Sequence, residues 1–185
     1  VIRLFFKIVF IKLLGWKIKG EFPYHLDKLI VVVAPHTSLW DFAVGISVRG
    51  ILGFKSNFLA KAELFKNPIL SKILTWMGGV PVDRGNKNTD VVGSVINIFN
   101  NRKRFVIALA PEGTRSKVTK LKTGFYRIAK EANVHILPVS FDFKNRTVEF
   151  LEPFIPNDDM EKDMDFLMDY YRGIHGKNPG LGFLE

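Results

Sequence analysis

A chain of 185 residues that is 47% hydrophobic carries enough apolar surface for one ordinary core, and no low-complexity tract or repeat divides it. Zero cysteines exclude a disulfide framework, a cysteine nucleophile and any thiolate metal site. Of the net charge of +9, residues 1–130 hold 22 Lys/Arg against 7 Asp/Glu and residues 131–185 hold 5 against 11, so a basic body suited to nucleic acid or an anionic membrane precedes an acidic tail.

The first eighteen residues, VIRLFFKIVFIKLLGWKI, are apolar almost all round, with Arg3, Lys7, Lys12 and Lys17 interleaved. At a helical period Arg3, Lys7 and Lys17 share one broad sector and Lys12 projects elsewhere. Three cations in the first twelve residues argue against a membrane span, and no uncharged core followed by a small-residue cleavage site marks a secretory signal. The expectation is a helix over residues 1–20 lying in a membrane interface; the alternative is a helix packed on the domain's own core. Residues 21–185 are expected to form the main domain, which carries any active site.

Next, LIVVVA reads as a short buried strand bounded by Pro35. A helix is expected from Ser38 to about Leu52, a strand at 57–60, and a helix through ELFKNPILSKILTWMGG that stops at Gly78-Gly79. VPVD follows as a strand, then a helix over about 89–100, a strand at RFVIALA (104–110), a loop PEGTRSKVTKLKTG, and a helix over about 125–132. HILPVSFDF and TVEFLEP close the core, and an acidic helix over about 158–174, read as a solvated face, ends the chain. Alternating strands and helices imply an α/β domain with a largely parallel sheet flanked by helices. Ligands of such sheets bind beyond the carboxyl ends of the strands. HTSLWD, DRG and PEGTRS each follow an expected strand and so converge on that edge.

In HTSLWD, Ser38 and Asp41 match a capping box, which accounts for both without chemistry. It does not account for His36. If Asp41 accepts a hydrogen bond from one ring nitrogen, the other becomes a fixed proton acceptor, and an imidazole ordinarily titrates near about 6.5, close to what a general base needs. In PEGTRS, Glu112 and Arg115 have a bland reading as a surface ion pair. Functionally, Arg115 offers a fork of donors to a phosphate, and Gly113 lets backbone approach a ligand. Arg84 in GGVPVDRG is a second bidentate phosphate candidate. His25, His36, His135 and His175 have no metal-ligand spacing, so no metal is expected.

PHTSLWD, GGVPVDRG, APEGTRS and ILPVSF, in this order and with AKAELF (60–65) before the second, resemble the motif blocks of the glycerolipid acyltransferase family that includes 1-acylglycerol-3-phosphate acyltransferases. Pro35 and Ala110 stand where Asn and Phe are common in that family. The resemblance implies acyl transfer from a thioester of coenzyme A or acyl carrier protein to the hydroxyl of a lysophospholipid, without a cofactor. His36 would be the general base and Asp41 its support. Glu112, Gly113, Thr114 and Arg115 would hold the acceptor head group, with Arg84 and Lys61 as further binding residues. The implied partners are membrane lipids, the lysolipid acceptor and the acyl carrier rather than nucleic acid. The implied location is peripheral, at the cytoplasmic face of the cell membrane. A thioesterase using the same His and Asp, and a binding module without catalysis, are the alternatives; no G-x-S-x-G elbow is present.

Overall fold

A computed structural model describes residues 2–83 and 90–182. Strand β2 (Lys28–Ala34) shows how the sequence builds the two layers. Its side chains alternate sides: Ile30, Val32 and Ala34 enter one apolar cluster and Leu29 and Val31 the other. A strand covered on both faces reads as a continuous apolar run, which is why LIVVVA carries no polar alternation.

The other strands are β1 (Lys17–Lys19), β3 (Asn57–Lys61), β4 (Gly79–Val82), β5 (Phe105–Leu109), β6 (His135–Asp142) and β7 (Thr147–Phe150). They form one sheet in the order β1-β7-β6-β2-β5-β3-β4. Neighbours run parallel except the hairpin pair β6 and β7. The expected largely parallel α/β sheet is therefore observed. Its carboxyl edge gathers the ends of β2, β3, β4, β5 and β6.

Helix α1 (Ile2–Lys7) runs into a π-helical segment (Ile8–Leu13), and α2 (Trp40–Leu52) and α3 (Pro68–Met77) follow β2 and β3. The crossovers from β2 to β3 and from β3 to β4 step in the same direction along the sheet, and connections of one hand then put α2 and α3 on the same face. α1 packs on α2 there: Phe6 lies against Gly50, where an added Cβ would run into the ring. Arg49 ties α2 to α3, its guanidinium donating to the Ser56 carbonyl at 3.0 Å and the Met77 carbonyl at 2.6 Å. Burial lowers its pKa from the ordinary arginine value.

On the opposite face lie α4 (Val91–Asn101), α5 (Gly124–Glu131) and α6 (Met160–Tyr171), contributing Val95, Phe99, Phe125, Met164 and Leu167 to the core. The acidic helix is therefore not only a solvated face. Asp163 is buried and accepts from the Tyr126 hydroxyl at 2.9 Å and the Asn157 amide N–H at 3.1 Å. The fully buried Tyr171 hydroxyl donates to the Val32 carbonyl at 2.7 Å; burial first, then the charges of neighbouring groups, push its pKa well above the ordinary value, so it stays a donor.

Three other expectations shift. The helix through residues 63–79 is interrupted: Ala62–Lys66 is a 3-10 turn, Asn67 caps α3 by accepting from the N–H groups of Ile69 and Leu70, and Pro68 occupies the first turn. Gly78 ends α3 with φ 94°, as expected of a helix stop, while Gly79 already begins β4. At the amino terminus the helix ends before Lys17–Lys19, which pairs with β7 as an edge strand, because Gly15 at φ 68° turns the chain. Among the described residues no helix is long and apolar enough to cross a membrane.

Candidate active site

The loop from Pro35 to Leu39 leaves the carboxyl end of β2 and turns at once into α2. Asp41, in the first turn of α2 and only 4% exposed, sends one carboxylate oxygen back over that loop. Its Oδ2 accepts from the Thr37 N–H at 2.8 Å, the Ser38 N–H at 2.9 Å and the His36 Nδ1 at 2.9 Å. Half of the capping box is thus present, since Asp41 takes the Ser38 amide. The Ser38 hydroxyl instead accepts from the Trp40 N–H at 3.1 Å, and the helix starts at Trp40 rather than Ser38.

An ionised carboxylate has no proton to give, so the hydrogen bond to His36 fixes its tautomer: Nδ1 carries the proton and Nε2 keeps a lone pair. The His36 side chain is 29% exposed. Asp41 therefore supports the helix start and the imidazole through one oxygen. Its Oδ1 is buried and has no hydrogen-bond partner among the described residues.

Glu112 is the residue whose setting differs most from expectation. It follows β5, which lies beside β2, so the two loops meet at adjacent strand ends. The side chain is fully buried, and both carboxylate oxygens take the His36 main-chain N–H, at 3.0 and 2.8 Å. A carboxylate buried this way is not the surface group of an exposed ion pair. The carboxylate clamps the backbone of the residue that carries the imidazole.

A second clamp comes from the carboxyl-terminal stretch, which the motifs did not single out. Asn178 donates from its main-chain N–H to the Thr37 hydroxyl at 3.2 Å and from its side-chain amide to the Thr37 carbonyl at 2.8 Å. Added Cβ atoms at Gly176 and Gly182 would meet Thr37 Cγ2 at 2.5 and 2.8 Å, so this strap closes on the loop only because both positions lack side chains. Val118 donates to the Gly182 carbonyl at 2.9 Å, tying the strap to the loop after β5 as well. The glycine-rich GKNPGLG run was the available signal; its target, Thr37, is distant in sequence.

The remaining predicted residues line the same sheet edge without touching His36. Gly113 turns at φ 66° and is covered by the Lys122 side chain. The Thr114 hydroxyl accepts from the Ser116 N–H at 3.2 Å. Arg115 is exposed after β5, and Lys61 is exposed at the end of β3. Neither side chain has a hydrogen bond or ion pair among the described residues, so both cations are available to an anion. Arg84 lies outside the described residues. Among those described, no group of three or more His, Cys, Asp or Glu is arranged to hold a metal ion.

Replacing Glu112 by Gln puts an amide NH₂ where an oxygen now accepts from His36. A mispaired buried donor costs about 1–3 kcal/mol, and for a domain of this size the melting temperature is expected to fall by about 3–8 °C. The turnover number is expected to fall with KM nearly unchanged. Calorimetry and steady-state kinetics check both; an unaltered melting temperature and kcat would remove Glu112 from its positioning role.

The site is thus an imidazole held by a buried acid at the carboxyl edge of a parallel sheet, with exposed cations at the ends of β3 and β5 that have no partner among the described residues. Residues 17–142 match the family model described as Acyltransferase. The chain is 32% identical over 139 residues to the 1-acyl-sn-glycerol-3-phosphate acyltransferase of Streptococcus pneumoniae, covering 70% of this chain and 50% of that protein. It is 27% identical over 128 residues to the Bacillus subtilis protein of the same name, covering 69% and 62%. Its fold is similar to the crystal structure of the 1-acyl-sn-glycerophosphate (LPA) acyltransferase PlsC from Thermotoga maritima, with a TM-score of 0.62 and 24% identity over 92% of this chain and 75% of that one. The chain belongs to the acyltransferase family, as its motif blocks suggested. It spans 50% and 62% of the length of the two curated relatives.

Proposed function

We propose that this protein transfers a fatty acyl group from an acyl thioester, of coenzyme A or acyl carrier protein, to the free hydroxyl of 1-acylglycerol-3-phosphate. The observation that carries the reading is the Asp41 Oδ2 to His36 Nδ1 contact at 2.9 Å, beside a ring that is still partly exposed. His36 Nε2 takes the proton of the acceptor hydroxyl as its oxygen attacks the thioester carbonyl. The tetrahedral adduct collapses by breaking the carbon–sulfur bond, and the departing thiolate recovers the proton from Nε2. No acyl-enzyme is required.

Arg115 and Lys61 suit the acceptor phosphate because both are exposed cations at strand ends of that edge, without a partner among the described residues. Thr114 and Gly113 shape the same loop, and Arg84 keeps this role on its sequence match alone. Glu112 is assigned instead to holding His36. The acceptor is a membrane lipid, and the amino-terminal helix suits peripheral attachment at the cytoplasmic face. It packs Phe6 and Phe10 inward, while Leu4, Phe5 and Leu13 are 61%, 62% and 72% exposed beside Arg3, Lys7 and Lys12.

The test incubates the protein with one acyl thioester and a panel of lysolipids, reading products by mass spectrometry. Diacylglycerol-3-phosphate formed in preference to other products is the expected result. Free fatty acid accumulating while a competent lysolipid is present would replace acyl transfer by thioester hydrolysis.

A further inference from the structure

Helix α3 has its polarity reversed. A surface helix ordinarily turns a polar stripe to water, yet here Ile69, Ile73 and Trp76, at i, i+4 and i+7, form one outward stripe exposed by 72%, 48% and 83%. No α3 side chain is fully buried. One exposed Ile would be ordinary; three large apolar side chains in register, one of them a tryptophan, are not.

Two further observations indicate what covers this stripe. The first is charge: between Asn57 and Val82 the exposed lysines Lys61, Lys66 and Lys72 stand against one acid, Glu63, and Lys72 lies within the stripe itself. The second is continuity. α1, α2 and α3 form one layer on the same face of the sheet, with Arg49 of α2 holding the α3 carboxyl end. α1 packs at the carboxyl end of α2, where Phe6 meets Gly50, and Leu39 and Trp40 at the start of α2 are 70% and 61% exposed.

We propose that the outer face of α3 is a second bilayer-binding surface, which inserts Ile69, Ile73 and Trp76 into an anionic leaflet with Lys66 and Lys72 at its phosphates. Apolar side chains interleaved with lysines, and a tryptophan whose amphipathic ring favours the headgroup level, are what such a leaflet takes. The protein then rests on exposed apolar residues of both α1 and α3. The inference rests on the reading that the acyl acceptor is a bilayer lipid.

The test uses the whole chain carrying Trp40→Phe, so that Trp76 is the exposed tryptophan among the described residues while Trp16 stays buried. Vesicles of phosphatidylcholine and phosphatidylglycerol with brominated acyl chains are expected to quench Trp76, and raising salt to weaken the effect. An Ile73→Asp/Trp76→Ser double variant is expected to partition onto the same vesicles at least about tenfold more weakly. It should still acylate a short-chain lysophosphatidate kept below its micellar concentration, which shows that the site is intact.

Unquenched Trp76 together with native partitioning of the double variant would overturn the proposal. So would a stable dimer in solution that the double variant dissolves while Trp76 stays dark to the brominated lipid. If the native protein fails to acylate the soluble acceptor, the functional reading fails on its own, because the quenching measurement does not depend on turnover.

Discussion

His36→Ala is expected to reduce acyl transfer to a lysophosphatidate by about 10²–10⁴-fold, the range a positioned general base contributes. The fold should survive, because the ring is partly exposed and the remaining contacts of the loop do not pass through it. Asp41 keeps the Thr37 and Ser38 amides, and Glu112 keeps the main-chain N–H of residue 36. Circular dichroism and melting temperature should therefore match the native protein while the rate collapses. A folded His36→Ala protein with full activity would exclude His36 as the base.

Asp41→Asn has two consequences, because one oxygen serves three donors. A carboxamide has a single acceptor oxygen, and its NH₂ is a donor among donors. If the oxygen stays on the Thr37 and Ser38 amides, it no longer carries the charge that favours the Nδ1–H tautomer and the imidazolium formed during proton transfer. The turnover number is expected to fall by about 10²–10⁴-fold, as when the acid of a triad is neutralised. Unlike His36→Ala, this substitution also destabilises. Losing charge-assisted bonds at a group only 4% exposed is expected to cost about 2–4 kcal/mol. Denaturant melts alongside kinetics separate the two variants: a large rate loss with little stability loss for His36, and both losses for Asp41. An Asp41→Asn protein as stable and active as the native one would dismiss the brace.

Glu112 shows why the candidate site was only partly legible. As text, PEGTRS is a Glu and an Arg on a glycine loop, and a surface ion pair or a ligand site fits it equally well. Nothing local reveals that β5 lies directly beside β2, and it is this adjacency that turns the Glu112 carboxylate onto the His36 N–H. Asn178 is the same case at greater range, since its partner Thr37 is 141 residues away. His36 and Asp41, by contrast, were readable together because five residues at a strand-to-helix turn already bring them into contact.

Helix α3 makes the complementary point about packing. Its apolar residues were visible, and a helix with apolar positions at helical spacing is read as facing the core. Only the crossovers that seat it at the end of the sheet, over the short edge strand β4, leave Ile69, Ile73 and Trp76 without a protein surface to cover them.

The sequence by itself therefore determined what depends on neighbours along the chain: the buried strands from their apolar runs, the alternation that makes an α/β sheet, the stop of α3 at Gly78, and the pairing of His36 with Asp41. The tertiary structure decided what depends on which strand ends are adjacent. That includes the edge strand at Lys17–Lys19, the burial of Asp163 and Tyr171 in an otherwise acidic helix, the Glu112 clamp and the Asn178 strap. The physical reason is the same throughout. Backbone geometry and side-chain periodicity are local properties, whereas the burial of a carboxylate depends on surfaces that meet only once the sheet is assembled.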